Sequence, residues 1–174
     1  YIIRGTEIES IVVPKSVTNC GNEALSGATK LKKVVFEEGI ETIPDNILDS
    51  SNYQNQIEEI VIPKTVTRVG DYAFRGSKHL KKVTFTENPE VDEDGKKQEV
   101  IISIGAFVDC IALDTVELSE NVVSIYNDAF SGCSSLTELI LPESVEFISS
   151  YFIRGTGIES IVVPKSLKSC GNEA

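Results

Sequence analysis

The chain repeats itself on two scales, and no other feature restricts its fold so strongly. Residues 151–174 match residues 1–24 at 19 positions without a gap. Between those copies a shorter period runs. VVSIYNDAFSGCSSLTELILP (122–142) and VTRVGDYAFRGSKHLKKVTFT (66–86) carry apolar residues at the same first, fourth, ninth, fifteenth, eighteenth and twentieth places. Units begin at Val17, Ile40, Val66, Glu99, Val122, Val145 and Leu167, and the steps of 23, 26, 33, 23, 23 and 22 residues span the 150-residue offset between the two copies. A unit of this size cannot enclose a core alone; stacked in register, like residues cover like and their apolar edges merge. The chain is therefore expected to be one solenoid over residues 1–174.

Each unit has two halves. The second, as in LTELILP or LKKVTFT, places apolar residues two apart among Val, Ile, Thr and Phe, the pattern of a short strand. The first carries a Gly or Asp turn and then an Ala-Phe pair, as in GDYAFRG and NDAFSG, which predicts one or two helical turns. The inward columns are Ala24, Ala73, Ala106 and Ala129; Leu25, Phe74, Phe107 and Phe130; and Leu31, Leu80, Leu113 and Leu136. Seven strands about 4.8 Å apart would make a parallel sheet about 30 Å long.

VGDYAFRGSKHLKKVTF and SIYNDAFSGCSSLTELILP follow I-G-x-x-A-F-x-x-C-x-x-L-x-x-I-x-L-P, a pattern that resembles the BspA-type, or Treponema pallidum-type, leucine-rich repeat over essentially the whole chain. The resemblance implies an α/β repeat solenoid: a right-handed superhelix with a parallel β-sheet on its concave face and short helical turns on its convex face. Two units depart from the pattern, with Ile47-Leu48 and Phe152-Ile153 in place of Ala-Phe, and both swaps are apolar.

Charge narrows the partners. Sixteen Lys and Arg against 27 Asp and Glu leave a net charge of -11, which disfavours nucleic acid, whose phosphates need clustered cations. No apolar run is long enough to span a bilayer, and no basic-then-apolar segment opens the chain. With no Met and a start in mid-pattern, the chain is expected to be a fragment of a longer array, any signal or anchor lying outside it. No polar capping sequence is visible at either end, so end-to-end self-association is expected.

Cofactor chemistry is not indicated. Cys20, Cys110, Cys133 and Cys170 form no CxxC pair, and His79 is the sole histidine, so a four-ligand zinc site is not expected. Cys110 and Cys133 share a column after Ala-Phe, where they read as small buried hydrophobes, although their spacing also leaves a bridge open. Cys20 and Cys170 replace the inward Ile or Val of the fourth place. ENPEVDEDGKKQ, residues 87–98, lengthens one step and predicts a solvated hairpin tipped by Asp94-Gly95; it lacks the alternating acids and distal Glu of a calcium loop. SSNYQNQ, residues 50–56, is a smaller insertion carrying Tyr53. Motifs of nucleophilic, zinc-hydrolase or phosphate-binding sites are absent, so no catalysis is expected. The RGT triplets at Arg4–Thr6 and Arg154–Thr156 lack the Asp of an RGD motif and read as turns before a strand.

Alternation places Val12, Val35, Val61, Thr84, Glu117, Ile140 and Val162 in one outward column of the expected concave sheet. Ser10, Lys33, Glu59, Lys82, Thr115, Glu138 and Ser160 form another, in which Lys33, Glu59 and Lys82 alternate in sign. The first column is unusually apolar. It serves either strand packing or a protein partner, and the candidate binding residues are Val12, Lys33, Val35, Glu59, Val61, Lys82, Thr84, Glu117, Glu138, Ile140 and Val162. The family resemblance implies an extracellular or cell-surface module for adhesion or protein recognition, its partner a host matrix or cell-surface protein. A structural stalk without a ligand and an accessory recognition region of a surface hydrolase are the alternatives.

Overall fold

A computed structural model describes residues 3, 5–21, 24, 25, 27–50, 54–91 and 93–172. Arg4 of the first RGT triplet, Tyr53 and Asp92 lie outside the described residues. Successive units stack as coils, and two parallel ladders run along the stack. The first contains β1 (Ser10–Val13), β2 (Lys33–Phe36), β4 (Glu59–Ile62), β6 (Lys82–Phe85) and β8 (Thr115–Glu117). The second contains β3 (Thr42–Ile43), β5 (Arg68–Val69), β7 (Val100–Ile102), β9 (Val122–Ile125), β10 (Phe147–Ile148) and β11 (Ser169–Cys170).

The single seven-strand sheet expected from alternation is thus corrected. The first ladder divides into a two-stranded sheet, β1–β2, and a three-stranded sheet, β4–β6–β8, while the second is a continuous six-stranded sheet ordered β11-β10-β9-β7-β5-β3. Residues 138–141 alternate exposed and buried without strand pairing, and residues 160–163 are unpaired as well. In the second ladder Ile43, Val69, Ile102, Ile125 and Ile148 fall in register and are all buried. Each such side chain contributes about 1.5–3 kcal/mol by leaving water.

The helical convex face is also corrected: the described residues contain no helix. Their returns are chains of turns, because alternate N–H groups leave the coil. Leu48, Phe74, Phe107 and Phe130 donate to the carbonyls of Ala73, Ala106, Ala129 and Phe152 in the following coil, each at 2.8 Å. The intervening Ala73, Ala106 and Ala129 close onto Gly70, Ser103 and Tyr126, each at 3.3 Å. An α-helix needs every N–H for its own i−4 carbonyl, so this sharing forbids one. A left-handed residue opens each of five returns: Asn46 (φ 53°), Tyr72 (53°), Gly105 (56°), Asp128 (55°) and Tyr151 (60°). Left-handed backbone costs a non-glycine residue about 1–2 kcal/mol, and here it turns the chain from the second ladder into the return.

Packing follows the coil spacing. Phe74, Phe107 and Phe130 stack nearly parallel, with centroids 5.1 and 5.3 Å apart and rings inclined by 9° and 3°, while Phe36 meets Phe74 edge-on at 6.2 Å. Buried polar groups are held across coils. Asn55 donates across coils to Ser77 Oγ at 3.4 Å and within its own unit to Ser50 Oγ at 2.7 Å, and accepts from the Ile57 N–H at 3.1 Å. Arg75 pairs with the buried carboxylate of Asp49.

The 87–98 excursion carries an isolated antiparallel bridge, Val91–Lys97. Its base is tied by buried Asn121, whose amide donates to the carbonyls of Asn88 (3.0 Å) and Gln98 (3.1 Å) and whose Oδ1 accepts from the Asn88 N–H (2.9 Å). Gln98 Nε2 in turn donates to the Thr65 carbonyl at 2.7 Å.

Candidate protein-recognition face

The outer row of the first ladder is built by register. Val12 lies beside Val35, and Val61 beside Thr84 beside Glu117; in the neighbouring row Ser10 meets Lys33, and Glu59 meets Lys82 and then Thr115. Side chains alternate across these strands, so Val34, Ile60 and Val83 turn inward while Val35, Val61 and Thr84 turn out. Val12, Val35, Val61, Ile140 and Val162 are all exposed, Ile140 at 72% and Val162 at 84%. Glu138 is exposed as well. Ile140 and Val162 stand beyond β8, where the strand pairing has ended.

Charge on this face is arranged diagonally. Lys82 Nζ reaches Glu117 Oε1 at 2.7 Å, and Thr84 Oγ1 donates to Glu117 Oε2 at 2.9 Å. The Glu117 hydrogen bond raises the Lys82 pKa, with Glu59 adding to the same field, and the bonds from Lys82 and Thr84 lower that of Glu117. Thr84 and Glu117 therefore contribute a fixed polar end to the row, and Val12, Val35 and Val61 an apolar one.

Between those valines the ladder is broken. Gln56 N–H donates to the Leu31 carbonyl at 2.7 Å, and β2 and β4 then run as neighbours without strand pairing. The gap forms a cleft of about 500 Å³ lined by Lys33, Val35, Phe36, Glu59, Val61 and Thr86, among others. Four candidate residues, Lys33, Val35, Glu59 and Val61, converge there. The sequence signal for the break is the 26-residue step that carries the 50–56 insertion.

A second feature had no counterpart in the strand pattern. Beside the second ladder, Arg68, Asp71, Ile101, Ser103, Ile104 and Tyr126 line a groove of about 230 Å³. Tyr126 packs on Phe147 at 5.3 Å, and Arg68 is held by Asp45 (2.8 Å) and Asp71 (3.1 Å).

The remaining candidates fall outside both features. Cys110 and Cys133 are free thiols in the core, Cys20 is partly buried and Cys170 exposed. His79 is exposed. Gly155 (φ 73°) shapes its turn, in which Thr156 Oγ1 donates to the Ile153 carbonyl at 2.8 Å, while Arg154 lies over the Tyr151 ring at 4.9 Å. Among the described residues no three His, Cys, Asp or Glu side chains gather as metal ligands, and no helix is long and apolar enough to cross a membrane.

Comparison with known proteins follows the same stacking. The BspA type leucine rich repeat region matches in six copies, over residues 1–93 and 50–174. No curated protein matches the chain. A leucine-rich repeat protein from Bacteroides ovatus is similar in structure, with 22% identity and a TM-score of 0.53 over 96% of this chain and 58% of that one. The leucine rich repeat protein of T. pallidum gives 23% identity and a TM-score of 0.55 over 81% of this chain and 60% of its own. The chain thus spans about three fifths of these solved relatives, and at such identities the likeness is one of fold.

Proposed function

We propose, from the premise that this chain belongs to the BspA-type leucine-rich repeat family, that it is a non-catalytic, extracellular or cell-surface module that recognises a protein partner. The partner, a host matrix or cell-surface protein, contacts the outer face of the first ladder at the cleft between β2 and β4. One observation carries this reading: the break between the strands gathers Val35 and Val61 with Lys33 and Glu59 around a 500 Å³ recess. An apolar floor with a cation and an anion at its rim suits a protein side chain or loop, where burial supplies affinity and charge supplies register.

The test is the double substitution Val35→Ser, Val61→Ser, compared with the unchanged chain for binding to a panel of matrix and cell-surface proteins by surface plasmon resonance. Because both valines are exposed, the melting temperature is expected to hold while affinity for the captured partner falls at least tenfold. Binding that survives the substitution would reject the cleft. Failure of the unchanged chain to bind any member of the panel would favour the stalk.

A further inference from the structure

The 87–98 excursion takes no part in the candidate recognition cleft, and its tip takes none in the core. From residue 89 to residue 97 every described residue is exposed, and the nearest buried side chains are Asn88 before them and Val100 after them. The two arms meet in an isolated antiparallel bridge, Val91–Lys97. Lys64 reaches Glu90 at 3.3 Å and Lys96 reaches Glu99 at 2.8 Å, but ion pairs as exposed as these hold a loop weakly. Lysines in the coils sit differently. Lys30 lies between buried Ala28 and Leu31, Lys64 between buried Ile62 and Val66, and Lys78 between buried Ser77 and Leu80. To present one of those peptide bonds in extended form a coil must leave the core, whereas the excursion need only open its bridge.

The fold crosses the excursion on both ladders. β6 before it pairs with β8 after it, through Lys82–Thr115, Val83–Val116 and Thr84–Glu117, and β7 after it pairs with β5 before it, through Arg68–Ile101 and Val69–Ile102. In the returns Tyr72, Phe74 and Gly76 donate to the carbonyls of Ile104, Ala106 and Val108 at 2.9, 2.8 and 2.8 Å, and Phe74 stacks on Phe107. At the base Asn121 accepts from the Asn88 N–H at 2.9 Å and donates to the Asn88 carbonyl at 3.0 Å. None of these contacts uses the peptide bonds at the tip.

We propose that the Lys96-Lys97 pair is a processing site for a lysine-directed endoprotease of the trypsin type, and that the cut chain persists as a two-piece solenoid. The step is a hydrolysis. Water adds across the peptide bond after Lys96 or Lys97, the C–N bond breaks, and the lysine gains a carboxylate while the next residue gains an amine. The first piece carries β1 to β6 and the second β7 to β11. Each coil of a solenoid contacts only its neighbours, so the cut falls at one coil interface and leaves the contacts of that interface in place. The cleft between β2 and β4 lies wholly in the first piece, and Glu117 of the second still reaches Lys82 and Thr84 of the first.

Trypsin at a low ratio to the unchanged chain, sampled over time and read by mass, is expected to yield pieces that meet after Lys96 or Lys97 before any cut at Lys30, Lys64 or Lys78. The nicked product should elute from a sizing column with the unchanged chain, keep its circular dichroism, and come apart only in urea. Lys96→Gln combined with Lys97→Gln should slow that cut at least tenfold with an unchanged melting temperature, since both side chains are exposed. A first cut at Lys30, Lys64 or Lys78 overturns the proposal, as does cleavage of the double variant at the same rate into pieces of the same size. Pieces that part without denaturant also overturn it, because the two ladders would then not hold across the cut.

Discussion

The Cys110 thiol donates to the carbonyl oxygen of Phe74, one coil back, across 3.2 Å. Cys133 makes the same bond to Phe107, also at 3.2 Å. In this column sulfur fills the space behind the turn and gives a second donor to a carbonyl that also accepts a turn N–H, from Ser77 at Phe74 and from Cys110 at Phe107. Burial pushes both thiols up, Cys133 to about 12, and the nearby Cys133 adds to the effect at Cys110.

Native-state alkylation should therefore label Cys170 first and Cys20 more slowly, whose pKa burial also raises. Cys110 and Cys133 should react only after unfolding. Intact mass spectrometry with and without urea checks this; a chain lighter by two daltons before reduction would instead mean a bridge. The raised pKa values also set a pH dependence. The folded state holds these protons more tightly than the unfolded chain, whose thiols titrate near 8.5, so their contribution is complete below that pH and lost as pH rises toward 12. The denaturation midpoint of the unchanged chain should fall across that window relative to a Cys110→Ala, Cys133→Ala variant.

Phe107 lies between Phe74 and Phe130 in the ring stack. Phe107→Ala should cost about 3–5 kcal/mol, the range for emptying a fully buried aromatic site. Phe107→Leu should cost markedly less, because most of the volume is kept. Equilibrium urea unfolding, read by circular dichroism, distinguishes the two.

Coil spacing predicts a contrast between two glycines. A Cβ on Gly70 would lie 2.6 Å from the Ile43 carbonyl oxygen and 2.6 Å from the Asp45 nitrogen, both backbone atoms of the preceding coil. Gly70→Ala should therefore push the coils apart and cost about 1–3 kcal/mol, the scale of overpacking. Gly95, with φ 76° at the tip of the excursion, has nothing within 4 Å of such a Cβ, so Gly95→Ala should cost only about 1 kcal/mol from its backbone conformation. Thermal melts of the two variants test the order.

Asn121 decides whether the 87–98 excursion stays docked. Asn121→Ala removes the amide that serves the Asn88 and Gln98 carbonyls. It also leaves the buried Asn88 N–H without its acceptor, a loss of about 1–3 kcal/mol. Trypsin should then cut at Lys96 or Lys97 several-fold faster than in the unchanged chain, while cleavage elsewhere follows global stability.

Much of this architecture is legible from residue columns. Phe74, Phe107 and Phe130 fall at equal places in their units and do stack, and the alternation around Val35, Val61 and Thr84 correctly assigns their outward face. The second ladder is not legible, because strands as short as Thr42–Ile43 or Phe147–Ile148 are too brief to show a period. The returns are misleading for a related reason. Ala73-Phe74 resembles a helical turn in isolation, but its hydrogen bonds are completed by Ala106 in the next coil. The cleft beside β2 left only an indirect trace, the longer unit step.

By itself the sequence determines the period, the inward columns and the duplication of 151–174 on 1–24, since these follow from which side chains must leave water together. The tertiary structure alone decides where the backbone pairs. Identical SIVV segments form a paired strand at Ser10–Val13 and take no strand pairing at residues 160–163. A hydrogen bond between coils depends on which coil lies alongside, and no residue carries that information in its own neighbourhood.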